Sequence, residues 1–274
     1  MEIINTQIKI GLEAPVRVIH ASDTHLTYAD MRDGERKVKL AEGRLPGFPQ
    51  AEDVLAKIGE VSKEMNLPIM HTGDLIDFVS LANLEAAKAF TDEHDLFMAT
   101  GNHEFSLYVG EAWEDADYRN QSLAAVQASF KNDIRMSSRI IGGLNFIALD
   151  NGYYTFDPEH LDFIKQEAQR GLPMVLMFHT PLYDRALYNE SMNRTPCAYL
   201  AGVPDELTEC YDPHRRKQQK TNEITTETLE YIAGQPLIKA ILTGHLHFNY
   251  EGTFADRIPQ IVTGCTDIRV VEFI

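Results

Sequence analysis

Five short clusters of acidic, histidine and amide residues, each directly after an apolar run, constrain this chain more than any other feature. The clearest is Ile69–Asp77, where the apolar run leads to Gly73 and Asp74 and a second carboxylate follows at Asp77. Such a run predicts a buried strand that carries an acidic side chain to the carboxyl edge of a sheet, where open α/β sheets bind ligands. A Gly-Asp pair alone is ordinary turn chemistry, so repetition gives the pattern its weight. The other clusters are SDTH at 22–25, GNHE at 101–104, FHTP at 178–181 and GHLH at 244–247.

Helical periodicity between the clusters predicts an α/β domain. Gln50–Asn66 places four apolar residues on one helix face and predicts them to be core: Val54, Ile58, Val61 and Met65. A second helix is predicted over Ser80–His94, capped by Ser80, and residues 105–138 are predicted to be mostly helical. The alternation of strand and helix favours right-handed crossovers and a mostly parallel sheet. With 274 residues, 44% of them apolar, and no linker, the chain is predicted to form one domain over 1–274.

Two segments without periodicity, 26–49 and 181–223, are predicted to be lid or cap insertions near the clusters. The first is interpreted as a long loop or a short helical insert. The second is interpreted either as a solvated, mobile loop or as a rim that meets the substrate, because loops of this length tend to be functional or mobile. Four of its side chains are candidates for contacting a phosphate or a base: Tyr183, Arg185, Arg215 and Arg216.

Composition limits the classes of partner and the compartment. The formal charge of −16 argues against a binder of duplex nucleic acid or of an anionic membrane, since both would repel the chain. It permits an anionic substrate, because metal ions or local arginines reverse the field inside a pocket. No apolar run approaches the ~20 residues that span a bilayer, and the N-terminus lacks the order of a signal peptide. Three cysteines (Cys197, Cys210 and Cys265) provide no disulfide framework, so reduced thiols and a cytoplasmic location are predicted.

The cluster side chains together form a candidate metal-binding set without thiolate. The set is Asp23, His25, Asp74, Asn102, His179, His245 and His247. Mixed nitrogen and oxygen ligands suit Zn, Fe, Mn or similar ions, whereas calcium prefers oxygen alone. Seven ligands exceed the needs of one tetrahedral ion but match two ions that share a carboxylate, the arrangement used for in-line hydrolysis of phosphate esters and also in aminopeptidases.

Spacing gives a first expectation of geometry. Asp23 and His25 lie two residues apart, so an extended backbone would direct both side chains to one face. His245 and His247 have the same spacing, which leaves open whether they serve one ion or one ion each.

The order of these motifs resembles the calcineurin-like metallophosphoesterases, whose pattern is D-x-H, G-D-x-x-D, G-N-H-E, H and G-H-x-H. Here the motifs begin at Asp23, Gly73, Gly101, His179 and Gly244, and the resemblance covers Val16 to His247 with none missing. It implies an α/β (α+β) fold, a four-layer αββα sandwich of two mixed β-sheets flanked by helices, with the active site on strand-end loops.

The resemblance also implies a role for each site residue. Asp23, His25 and His247 would hold the first metal, Asn102, His179 and His245 the second, and Asp74 would bridge the two. A hydroxide bridging the ions would attack phosphorus, and His103 would protonate the leaving alkoxide. Asp77 would orient His103, with a helix-capping carboxylate as the alternative. Glu104 is predicted to fix its loop by hydrogen bonding.

Three hypotheses of function follow. The first is a bimetal phosphoesterase acting on phosphodiesters or small phosphomonoesters, such as nucleotides or glycerophosphodiesters, with the DTHL and GNHE motifs favouring diesters. The second is a non-catalytic metal-binding scaffold on the same fold. The third is a two-metal hydrolase of amides. A DNA nuclease is disfavoured by the charge and the absence of an extended basic stripe.

Overall fold

Two β-sheets form the centre of the protein. The structure is a computed structural model that describes residues 2–111 and 116–274. The strands β1 to β11 are Ile3–Ile8, Val16–Ala21, Ile69–His71, Leu96–Met98, Met136–Ile141, Leu144–Leu149, Met174–Met177, Ile238–Thr243, Tyr250–Phe254, Ile258–Val262 and Ile268–Phe273. The first sheet has the order β1-β11-β2-β3-β4 and the second the order β5-β6-β7-β8-β10-β9. Both sheets are mixed: β2, β3 and β4 are parallel, as are β6, β7, β8 and β10, whereas β11/β2, β5/β6 and β9/β10 are antiparallel.

Helices cover the outer faces of both sheets. The helices α1 to α8 of the described residues are Glu35–Arg44, Ala51–Met65, Leu81–Glu93, Ala116–Gln127, Pro158–Ala168, Arg185–Met192, Pro213–Gln218 and Glu223–Gly234. Ser80 caps α3 as expected, since its hydroxyl accepts a hydrogen bond from the Asn83 amide. Within the described ranges, no helix is both long enough and apolar enough to cross a membrane.

Alternating strand residues separate the hydrophobic core into layers. Val18, Met70 and Phe146 pack between the sheets, and their neighbours Ile19 and Ile69 pack outward against α2 and α3. On the second sheet the outward residues, Ile147 and Leu176 among them, pack with α5 and α8 through Ile164 and Ile232. Side chains alternate between the faces of a strand, so each sheet buries both faces. The predicted four-layer αββα sandwich is confirmed.

The parallel strands bring the five clusters to one edge of the sandwich. Residues 22–25 follow β2, Asp74 follows β3, residues 101–104 follow β4, His179 follows β7, and His245 follows β8. Because parallel strands share the direction of their carboxyl ends, the loops that follow them meet there.

Several sequence-based expectations about local structure differ from the fold. Met65 is 37% exposed, because it lies in the last turn of α2 beyond the sheet that covers Val54 and Ile58. Residues 105–138 are not mostly helical among the described residues, which exclude 112–115 there, since α4 covers only Ala116–Gln127 and β5 begins at Met136.

The two insertions are helical and partly packed. Segment 26–49 contains α1 between two short 3-10 turns, which matches the short helical insert. Segment 181–223 contains α6 and α7 and has its own buried cluster, with Leu187, Cys197 and Leu200 packed against Val262 of β10. A wholly solvated loop is therefore the wrong interpretation of 181–223. All three cysteines are free thiols, in agreement with the prediction.

Candidate metal centre

The cluster loops adopt left-handed backbone at alternate residues. The φ angles are 56° at Asp23, 54° at His25, 55° at Asp74, 70° at His245 and 57° at His247. Few residues other than glycine adopt this region, and such positions concentrate at functional sites. The expectation that Asp23 and His25 share an extended backbone is therefore wrong, since β2 ends at Ala21. Backbone hydrogen bonds hold them instead, from the Asp23 amide to the Gly73 carbonyl and from the His25 amide to the Asp74 carbonyl, each 2.9 Å.

Asp23, His25 and His247 form a first group of donor atoms within 4.8 Å of one another. Nε2 of His25 lies 3.1 Å from Nε2 of His247, and Oδ1 of Asp23 lies 3.4 Å from the same His247 nitrogen. Asp23 and His25 are fully buried, whereas the His247 side chain is 41% exposed. The group therefore has a buried floor and one ligand on the solvent side.

Asp74, His179 and His245 form a second group. Nε2 of His179 lies 3.0 Å from Nδ1 of His245 and 3.0 Å from Oδ2 of Asp74. Asn102 lies on the neighbouring loop, and its Oδ1 atom is buried without a hydrogen-bond partner among the described residues. His245 and His247 thus fall into different groups of donor atoms.

One oxygen of Asp74 lies between the two groups. Oδ2 is 3.0 Å from Nε2 of His179 in the second group and 3.6 Å from Nε2 of His25 in the first. The other oxygen, Oδ1, accepts a hydrogen bond of 2.9 Å from the His103 amide. Gly101 allows this approach, because a Cβ at that position would collide with Oδ1. The loop after β4 therefore fixes Asp74 with Oδ2 directed to both groups.

The donor set fits a pair of transition-metal ions. In each group two imidazole nitrogens face one another about a hydrogen-bond length apart, beside a carboxylate, and Asn102 adds a buried oxygen that has no other partner. Unpaired buried acceptors are costly in a folded protein, and a cation shared between them removes that cost.

The Asp77 carboxylate contacts two histidines, His25 of the first group and His103. Its Oδ1 lies 3.0 Å from Nδ1 of His25 and 3.1 Å from Nδ1 of His103. The shorter contact to His103 comes from the Asp77 main-chain carbonyl, which accepts from Nδ1 at 2.6 Å and so fixes the proton there. Arg44 of α1 donates from Nε and Nη2 to the same carboxylate, at 2.6 and 2.8 Å. Asp77 does not cap a helix, since Ser80 caps α3.

Carboxylates raise the pKa of two buried histidines, His25 and His179, in the metal-free chain. Burial lowers the pKa of His25, but hydrogen bonds to Asp23 and Asp77 outweigh it and raise the pKa to about 10. Burial also lowers the pKa of His179, but the charges of Asp74 and Asp23 raise it to about 9. The same histidines, His179 foremost, hold the pKa of Asp23 and Asp74 well below the usual range despite burial. A proton on each of these imidazoles therefore balances the buried acids at neutral pH.

Metal uptake is expected to release about two protons per chain at pH 7, one from each raised imidazole, because ligands must be deprotonated. Because the pKa values of both imidazoles are raised, protons compete with metal for them at pH 7. The apparent metal affinity is therefore expected to rise as the pH increases towards about 9 to 10. Calorimetric titration of the apo-protein with Mn²⁺ or Zn²⁺ in two buffers of different ionisation enthalpy counts the protons. Metal uptake at pH 7 without net proton release would contradict this assignment.

Glu104 holds two of the loops together, as the sequence predicts. Its buried carboxylate accepts backbone N–H groups from Asp74 at 2.8 Å and from Leu75 and Gly101 at 2.7 Å each. A fourth donor, the Ile76 amide, lies at 3.3 Å. No donor atom of Glu104 belongs to either metal group.

Replacing Glu104 with glutamine is expected to destabilise the metal-free protein by about 1–3 kcal/mol, because the amide nitrogen cannot accept and leaves buried N–H groups unpaired. Urea unfolding measures the change. Glu227→Gln, an exposed carboxylate on α8, is the matched control and should stay within about 0.5 kcal/mol of the parent. Equal stability of the two variants would refute the bridging role of Glu104.

An aromatic residue from each insertion contacts a histidine of the centre. Phe48 stacks on His25 with centroids 4.1 Å apart, and the Arg44 guanidinium lies over the Phe48 ring, 5.3 Å from its centroid. Tyr199 meets the edge of His245 at 5.8 Å, and Arg215 lies over Tyr199 at 5.3 Å. Each group of donors is therefore flanked by an arginine–aromatic pair.

Phe48, Arg44 and Tyr154 contact the centre without any role predicted from the sequence, and the Tyr154 hydroxyl lies 2.8 Å from Nε2 of His245. No motif marks them, since their contacts depend on how the insertions fold back. Among the four candidates for contacting substrate, Arg215 alone is linked to the centre through these contacts, whereas Tyr183 packs against Tyr188.

A comparison with family models decides the family. The model of the calcineurin-like phosphoesterases matches residues 16–249. The chain belongs to this family. Calcineurin-like phosphoesterases bind a dinuclear metal site and act on small phosphate esters, so the chain is a hydrolase of phosphate esters. A comparison with curated protein sequences finds no match.

Several solved structures of low sequence identity are similar to this chain. A dimetal phosphatase from Danio rerio has a TM-score of 0.51 and 12% identity, over 92% of this chain and 88% of that chain. A 5'-nucleotidase from Candida albicans has a TM-score of 0.43 and 13% identity, over 91% of this chain and 45% of its own. An archaeal phosphodiesterase has a TM-score of 0.35 and 13% identity, over 91% and 86%.

Proposed function

We propose that this protein is a two-metal phosphoesterase that hydrolyses phosphodiesters or small phosphomonoesters of the nucleotide or glycerophosphodiester kind. The observation that carries the proposal is the position of Asp74, whose Oδ2 contacts His25 and His179 while its Oδ1 is held by the His103 amide. A carboxylate oxygen shared by two buried histidine groups suits a ligand that bridges two ions.

In this proposal Asp23, His25 and His247 would hold one ion, His179, His245 and Asn102 would hold the other, and Asp74 would serve both. The bound ions, Mn, Fe, Zn or similar, supply Lewis-acid activation of the phosphate and of a water nucleophile. Asp77 keeps Nε2 of His25 free for metal by accepting the hydrogen bond from Nδ1. Tyr154 fixes the His245 ring from the opposite side of its Nδ1 atom.

His103 is the proposed general acid for the leaving group. Its Nδ1 donates to the Asp77 carbonyl at 2.6 Å, and the proposal therefore assigns the proton transfer to Nε2. The Asp77 carboxylate oxygen, 3.1 Å from the same Nδ1 atom, also holds the orientation of the ring. Arg44 binds the remaining Asp77 lone pairs and so keeps this carboxylate from turning away.

A screen of metal-reconstituted protein tests the proposal. The protein is loaded with Mn²⁺, Fe²⁺ or Zn²⁺ and assayed against bis(p-nitrophenyl) phosphate, p-nitrophenyl phosphate, nucleotides, glycerophosphodiesters and a parallel panel of amides. Turnover of at least one phosphate ester and of no amide is expected. Less than one ion per chain with no ester hydrolysed would favour a non-catalytic scaffold that has lost its metal, and turnover of amides alone would favour a two-metal amidase.

A further inference from the structure

A concave, positively charged pocket lies outside the metal centre. It has a volume of about 430 Å³ and is bordered by α4, the loop after β6 and α7. We call it the basic pocket, and six of its lining residues carry the argument: Arg119, Arg135, Tyr153, Lys217, Gln218 and Lys220. The charge of this surface is opposite to that of the chain as a whole, which carries −16.

The cations of the basic pocket exceed the acids that balance them. Arg119 forms an ion pair with Asp150, and Nη2 of Arg135 lies 2.9 Å from Oδ2 of Asp157. Lys217 and Lys220 form no ion pair within the described ranges, so four cations face two carboxylates and leave a net charge of +2. The same lysines border an adjoining hollow with Asp205 and Glu209, but make no ion pair with either.

One donor in the basic pocket also lacks an acceptor. Nε of Arg135 is buried and has no hydrogen-bond partner among the described residues. Arg119 is largely buried, with its guanidinium 5.2 Å from the ring centre of Tyr153. The guanidinium groups of Arg119 and Arg135 suit a phosphate-type anion, because its oxygens accept several N–H donors at once.

The basic pocket and the metal centre share a wall, the loop at 150–155. Tyr153 and Thr155 line the pocket, while Tyr154 between them contacts His245. Gly152 packs against the Asn102 loop so closely that a Cβ there would lie 2.8 Å from the Asn102 nitrogen.

The second insertion also connects the two regions. Nη1 of Arg215 donates to Oε1 of Gln218 at 2.6 Å, and Gln218 lines the basic pocket. The same Arg215 lies over Tyr199, which meets His245. One residue, Tyr154, therefore separates the pocket lining from His245 on one side, and two residues, Arg215 and Tyr199, separate them on the other.

We infer that the basic pocket binds a phosphate-type anion, such as a second anionic group that the substrate carries apart from the ester that is cleaved. The substrate class rests on the proposed function, whereas anion binding by the pocket does not. The anion is either a remote phosphate of the substrate or a free inorganic ion, and the two are separable by experiment.

Competition against turnover of bis(p-nitrophenyl) phosphate by the Mn²⁺-loaded protein tests the substrate's remote phosphate. Adenosine 3',5'-bisphosphate is expected to have a Ki about tenfold below that of adenosine 5'-monophosphate. In K217Q/K220Q this ratio should fall to about twofold or less, because the unpaired charges are removed. K57Q/K88Q on α2 and α3 makes the same change in net charge and should retain the ratio of the parent.

Calorimetric titration of the metal-loaded variants with sodium sulfate tests the free anion and needs no turnover. If sulfate affinity falls in K217Q/K220Q but not in K57Q/K88Q, and the Ki ratio of K217Q/K220Q equals that of the parent, the pocket binds a free anion. If K217Q/K220Q loses sulfate binding and the metal-loaded parent hydrolyses no ester, the proposed function is contradicted, but the anion site in the pocket is supported. If neither the Ki ratio nor the sulfate affinity differs between the two double variants, the pocket is not an anion site.

Discussion

Replacing Asp74 with asparagine is expected to lower metal affinity by more than about 100-fold and to abolish turnover of phosphate esters. Changes in the partners of metal ligands already cost ~10–100-fold, and Asp74 contacts both donor groups directly. The substitution retains the shape of the side chain and an oxygen that can accept from the His103 amide, so the fold should persist.

Mass spectrometry of the metals in dialysed protein, together with steady-state kinetics, measures the Asp74→Asn effect. Asp92→Asn, an exposed carboxylate on α3, is the matched control and should retain both metals and activity. An Asp74→Asn protein that keeps two ions per chain and full turnover would remove the bridging role.

Replacing His103 with alanine is expected to lower kcat by about 10²–10⁴ for an ester with an alkoxide leaving group, because the proposed proton donor is lost. For bis(p-nitrophenyl) phosphate the loss should be about tenfold or less, since p-nitrophenolate needs little protonation to leave. Metal content should be unchanged, because the His103 backbone amide still donates to Asp74.

The comparison of the two leaving groups separates proton donation from structural damage in His103→Ala. A misfolded or metal-poor variant would lose activity equally on both substrates. His214→Ala, an exposed imidazole in α7, serves as the control and should match the parent on both esters. Equal losses for alkyl and aryl esters in His103→Ala would contradict the assignment of His103 as general acid.

The sequence predicts the positions of the five clusters at strand ends, because each cluster depends on a local pattern, an apolar strand followed by a polar turn. β2, β3, β4, β7 and β8 all end within a few residues of the predicted positions, and parallel pairing brings their ends together. The backbone geometry of the clusters is not predictable in the same way. Asp23 and His25 are left-handed because of hydrogen bonds to Gly73 and Asp74, about 50 residues away in the chain.

The surroundings of the centre depend on tertiary contacts that leave no trace in spacing. Arg44 and Phe48 belong to a segment that reads as irregular, yet α1 and the turn after it place them on Asp77 and His25. The same holds for Tyr199 and Arg215 at His245. For Met65 the spacing predicts a core residue, but the side chain is 37% exposed at the end of α2. Loops that carry function vary in this way around a regular scaffold.

Titration of the apo-protein with Mn²⁺ or Zn²⁺, with bound metal and turnover of bis(p-nitrophenyl) phosphate measured at each point, tests the two-metal assignment most directly. Binding is expected to saturate at two ions per chain, with turnover appearing only as the second ion binds, because Asp74 needs both donor groups filled to bridge. Saturation at one ion with full turnover, or at two ions with no ester hydrolysed, would contradict it.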